Sequence, residues 1–111
     1  MKLTVMERIT LMGILPQEGS YVTYKILSNL RQELSFSEKE IRDFEIKEAL
    51  VGDTGRMNIT WEATKAKEKH FELGLQAISI VKTALDKLEK EGKINAQNVS
   101  VYEKYFTDLK T

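Results

Sequence analysis

The chain has no cysteine, one histidine, one proline and no net charge over its 111 residues. The lack of cysteine removes disulfides, thiolate metal ligands and thiol nucleophiles together, and fits a reducing compartment. With His70 the sole histidine, any metal site or Ser-His-Asp arrangement would have to run through that one ring. Zero net charge argues against a dedicated nucleic-acid binder, whose affinity comes mostly from phosphate contacts. The charges are also evenly spread, 8 basic and 10 acidic side chains up to Glu62 and 9 and 7 from Ala63 on. No apolar run approaches the length of a membrane span, and Glu7-Arg8 interrupts the apolar stretch near the start, which argues against a signal peptide. The expectation is a cytoplasmic, non-enzymatic protein with no cofactor, no metal and no membrane association.

What the chain does have is explicit punctuation. Thr4 to Glu7 and Ser37 to Glu40 are Ser/Thr-x-x-Glu boxes, in which the hydroxyl serves a helix-start N–H and the Glu reaches back. The first predicts a helix over Val5–Leu15, with Val5, Ile9 and Met12 on one face and Leu11 and Leu15 widening it. Pro16 ends it, because the residue before proline avoids the helical region. Ser20 caps a second helix running to Leu34, with Thr23, Ile26, Leu27, Leu30 and Leu34 at helical spacing. Ser37 opens a short third helix over Glu38–Phe44, flanked by Phe36 and Ile41 at the hydrophobic staple positions.

The period then changes to two. Ile46 to Val51 and Met57 to Glu62 alternate on either side of Gly52-Asp53-Thr54-Gly55, which predicts a β-hairpin. Met57, Ile59 and Trp61 share one face and are expected to point into the core. From Ala63 to Leu73 the alternation of Lys65, Lys67, Lys69, Phe71 and Leu73 predicts a third antiparallel strand ending at Gly74. A helix starting near Lys67 is the rival, at the cost of a mid-helix glycine. Two helices close the chain. One carries Leu75, Ile78, Val81, Leu85 and Leu88, with Ala77 and Ala84 beside them, and has Gly92 as its C-cap. The other opens at Asn95 with Val99, Tyr102, Phe106 and Leu109 on one stripe and Tyr105 beside it. The expected architecture is a single α+β domain over residues 1–111. A small antiparallel two- or three-stranded sheet is covered by helices in the order ααα-ββ(β)-αα.

Candidate sites are few. His70 with Glu68 and Glu72 could pair a histidine with a carboxylate, but a mixed-charge exposed strand face is the stronger reading. Gly52–Gly55 lacks the Lys-Ser/Thr and the helix of a phosphate loop. The order of three helices and a hairpin is that of a winged-helix DNA-binding domain without its first strand. Against it, the would-be reading helix offers Glu38, Glu40 and Asp43 to only Lys39 and Arg42, whereas base and phosphate readers are dominated by Arg, Lys, Asn and Gln. Lys65, Lys67 and Lys69 could meet an acidic partner or guard a strand edge. Tyr21, Tyr24, Tyr102 and Tyr105 are candidates for a protein contact surface, since tyrosine is enriched at interfaces. These seven residues are the expected partner contacts, with a protein as the partner, nucleic acid as the runner-up and self-association left open.

Several of these segments also resemble a known group of proteins. The start Glu7-Arg8…Leu15-Pro16…Glu18-Gly19, the step Leu34-Ser35-Phe36…Glu40 and the closing Tyr102 to Tyr105 are similar to motifs of a family of small bacteriophage and prophage proteins. About half the chain is covered, at both ends, and the hairpin is not. The resemblance implies a phage or mobile-element origin and a bacterial host cytoplasm. It implies no activity, and no residue inherits a catalytic role from it.

Overall fold

In the computed structural model the described residues are 1–51 and 56–108, and the side chains of 49–51, 56–58, 107 and 108 are not among those described. The chain is α+β. It divides into two compact units, one made of residues 1–35 and those from Glu68 on, the other of Phe36–Lys67.

The first unit begins with β1 (Lys2–Leu3), followed by α1 (Val5–Ile14) and α2 (Tyr21–Leu34). It resumes with β4 (Lys69–His70), α4 (Leu75–Lys90) and α5 (Val99–Asp108). The Thr4 capping box forms as expected, with the Glu7 N–H donating to Thr4 Oγ1 and the Thr4 N–H to Glu7 Oε1. Ser20 caps α2 through the Thr23 N–H. Gly92 follows α4 at φ +66, and the Lys93 N–H closes onto Leu88 O. This is the left-handed cap that glycine adopts without a Cβ clash. Asn95 and Asn98 bond each other's backbone N–H groups, so α5 is preceded by a turn and starts at Val99.

The core of this unit is Leu3, Leu11, Leu15, Leu27, Leu30, Leu34, Phe71, Val81, Leu85, Val101 and Tyr105. Three buried stripes differ from the expected ones. In α1 the buried residues are Val5, Glu7, Arg8 and Leu11, with Ile9 and Met12 only partly buried. In α4 the stripe starts at Ala77, and Leu75 is 86% exposed. In α5 the buried positions are Val101 and Tyr105, preceded by Asn98, one residue away from the expected Val99, Tyr102 and Phe106.

The charged members of the α1 stripe explain its position. Arg8 is fully buried, and its Nε and Nη2 donate to Leu34 O (3.1 Å) and Ser35 O (2.7 Å). Its guanidinium lies 5.3 Å from the centre of the Phe71 ring. Arg31 of α2 does the reverse, donating to Leu15 O and Pro16 O beyond α1. Each helix thus supplies an arginine for carbonyls at the other's C-terminal end, where no intrahelical donor is left. Glu7, 3% exposed, accepts from Lys104 Nζ of α5 at 2.6 Å as well as from Thr4. Lys104 also reaches Lys2 O and Glu68 Oε2.

The second unit holds α3 (Glu38–Asp43) and the hairpin of β2 (Lys47–Val51) and β3 (Arg56–Thr60). The hairpin is antiparallel, with Glu48 opposite Ile59, and its loop lies outside the described residues. The Ser37 box forms in full. The short helix closes with Glu45 at φ 53 and the Ile46 N–H on Ile41 O. Glu45 thereby takes a left-handed position that costs an L-residue roughly 1–2 kcal/mol. Phe44 is buried, while Trp61 beyond the end of β3, expected in the core, is only half-buried.

The expected third strand does not extend this hairpin. Glu62 turns the chain, its backbone carbonyl accepting from Lys65 and Ala66 and its carboxylate from Thr64. Among the described residues the next strand is β4, which pairs with β1 (Lys2 opposite His70, Leu3 opposite Lys69). The described residues therefore form two two-stranded sheets where one sheet was expected. A local side-chain turn ended the alternation, and the true partner lay near the start of the chain.

Burial pushes the Glu7 pKa up, but the Lys104 ammonium, the Thr4 N–H and Ser100 outweigh it, and the net shift is downward. A carboxylate lowered in the folded state adds stability above its unfolded pKa and loses it as pH falls through the folded value. Glu7→Gln should therefore cost about 1.5–3 kcal/mol at neutral pH. In urea denaturation the gap to the unsubstituted protein should close below about pH 4.5, because only the parent titrates there. A gap that stayed constant down to about pH 2.5 would show that folding does not lower the Glu7 pKa.

Candidate functional site

The four tyrosines separate into two pairs. Tyr21 and Tyr24 stand on the first turns of α2, 76% and 51% exposed, with Val22 between them at 62%. Residues three and four apart share a helix face, so Tyr21, Tyr24 and Lys25 lie together. Lys25 Nζ sits 5.9 Å from the Tyr21 ring centre. Tyr102 and Tyr105 of α5 are the less exposed pair. Tyr102 is half-buried at 6.1 Å from the Tyr105 ring, and Tyr105 is fully buried. Burial removes Tyr105 from the expected contact set. The sequence reading placed Tyr105 beside the stripe because Val99, Tyr102 and Phe106 form an equally apolar face. The Asn98 and Lys104 bonds decide between the two faces.

The lysine row is not a row. Lys65 follows the Glu62 turn and pairs with Glu45 at 3.4 Å. Lys65 and Lys67 border a groove in the second unit with Lys39, Phe44, Thr64, Glu40 and Asp43. Three cations thus share that groove with two carboxylates. Lys69 belongs to β4 in the first unit, 5.4 Å from the Phe71 ring. His70 Nε2 is 3.5 Å from Glu72 Oε1, both side chains being exposed. Among the described residues no group of three His, Cys, Asp or Glu side chains could hold a metal ion. The phosphate-loop candidate, Gly52–Gly55, lies outside the described residues.

One feature was not visible in the sequence. A groove of about 390 Å³ runs between α2 and the segment entering α4. Ile26 and Leu30 face Leu73 and Ala77 across it, Glu33 and Glu72 border it, and Leu75 stands exposed at its rim. Val22 is four residues before Ile26, so the exposed apolar surface of α2 continues onto the groove. Gly74 lacks a side chain to cap α4. The missing signal was the direction of Leu75, which helical spacing alone assigns to the core.

No family model, no curated protein and no solved structure matches the chain. No helix among the described residues is long and apolar enough to cross a membrane.

The Tyr105 hydroxyl is buried with no hydrogen-bond partner among the described residues. Its burial, with the Asp86 charge and Tyr102 nearby, raises its pKa. An unsatisfied buried group costs about 1–3 kcal/mol, so Tyr105→Phe should be neutral or stabilising in urea denaturation. A loss of more than about 1 kcal/mol would show that the hydroxyl makes a net favourable bond.

Proposed function

We propose that this chain is a non-enzymatic accessory protein of phage type that acts in the bacterial cytoplasm by binding another protein. A host-directed, anti-defence or virion-assembly role is compatible with that reading. The observation that carries it is the exposed run Tyr21, Val22 and Tyr24 on α2. These are large apolar and aromatic groups on one well-capped helix, and Val22 leads along the helix to Ile26 of the groove. Contiguous exposed apolar surface of this kind marks contact sites, and tyrosine supplies area and a hydroxyl with few rotatable bonds. The same face could serve self-association.

Nucleic-acid binding is second. It would use α3 and the hairpin, where Lys39, Lys65 and Lys67 converge. Glu40 and Asp43 share that groove, and Lys65 is engaged by Glu45. The local field is thus close to neutral, unlike the phosphate-facing surfaces that give salt-dependent affinity.

A photo-crosslinking residue placed at Val22 tests the reading in cells that carry the chain. The expected result is one discrete protein adduct, absent with the crosslinker at exposed Lys90 of α4 and lost on Tyr21→Ser with Tyr24→Ser. The same adducts from Val22 and Lys90, or none from either, would contradict it.

A further inference from the structure

We propose that the groove between α2 and the head of α4 takes an amphipathic helix of the partner whose apolar stripe is flanked by Lys or Arg. The proposal rests on the protein-binding reading and specifies the partner's chemistry.

Charge is the first argument. The groove's ionisable lining is Glu33 and Glu72, with no lysine or arginine. Glu72, its side chain 89% exposed, lies 3.5 Å from His70, and among the described residues Glu33 has no ion pair. The start of α4 contributes about half a positive charge, which two full carboxylate charges exceed. An acidic segment would be repelled, and a basic one attracted.

Shape is the second argument. The walls are apolar at Ile26, Leu30, Leu73 and Ala77, and Leu75 projects where an incoming side chain would cover it. On α2 the stripe Val22, Ile26, Leu30 and Glu33 spans three turns, about 16 Å at 1.5 Å per residue. A helix laid in such a groove offers anchors at i, i+3 or i+4, and i+7 over the same length. The polar groups Asn29 and Gln76 also border it and can bond the flanking side chains or backbone.

The test uses two synthetic helical peptides of about four turns. They carry the same leucine stripe, flanked by lysines in one and glutamates in the other. Each is titrated into the ¹⁵N-labelled full chain at about 0.15 M salt. The lysine peptide should shift the amides of Ile26, Leu30 and Leu73 to Ala77, with a Kd at least about tenfold below that of its twin. Glu33→Lys with Glu72→Lys should reverse the preference. Leu75→Asp should weaken both peptides, and all three side chains are exposed, so the fold should be unaffected. Equal affinities, shifts centred elsewhere or no shifts with either peptide would overturn the proposal. If a Val22 adduct forms in cells while the peptides do not discriminate, the basic-helix inference fails and the protein-binding reading survives. If the adduct is also absent, both fail.

Discussion

Two consecutive charged residues of α1, Glu7 and Arg8, are buried, and the first unit is assembled on them. Burying a charge is expensive unless it is hydrogen-bonded, so neither side chain can be placed until its partners are. Arg8 requires the end of α2, whose carbonyls it bonds, and the Phe71 ring. Glu7 requires Lys104 of α5, which in turn holds Lys2 O and Glu68. One helical turn therefore specifies where α2, α5, β1 and the entry to β4 must lie. Apolar packing alone tolerates many arrangements, and bonds at fixed distances select among them.

This constraint also accounts for which surfaces are left open. With Arg8 fixing α1 against the C-terminal end of α2, the buried residues of α2 are Leu27, Leu30 and Leu34, from the middle of the helix onward. Its first two turns keep Tyr21, Val22 and Tyr24 in solvent. The α4 stripe starts at Ala77, so Leu75 and Gly74 stay at the edge of the groove. The proposed contact surface thus joins the exposed first turns of α2 to the groove that α2 forms with the head of α4. Leaving such groups exposed adds nothing to folding, and the proposal of a partner rests on them.

Much of the local structure was legible in the sequence. Thr4, Ser20 and Ser37 each cap the helix assigned to them, Gly92 closes α4, and the two alternating runs pair as an antiparallel hairpin. These are short-range effects in which a residue and its neighbours contain all the information. What failed was long-range. The α1 stripe was read around Ile9 and Met12 because a charge at a core position is normally an error, and no local pattern shows that Leu34 O and Lys104 wait for Arg8 and Glu7. The pairing of Lys69–His70 with Lys2–Leu3 crosses most of the chain. Of the expected contact residues, Tyr21 and Tyr24 are exposed together, Tyr105 is buried, and the three lysines are not aligned on one strand. Spacing along a helix names a face, but only the tertiary partners determine which face is turned inward.

The most direct measurement is a double-mutant cycle on Glu7→Gln and Lys104→Met, by urea denaturation at neutral pH and more than one salt concentration. Residues within one network couple by about 0.5–3 kcal/mol, and because Glu7 is buried and Lys104 only part-exposed the pair is screened by salt less than an exposed one. The account predicts a coupling above about 1 kcal/mol that persists at high salt. A coupling near zero, or one that vanishes with added salt as at an exposed pair, would contradict the claim that this turn of α1 organises the unit.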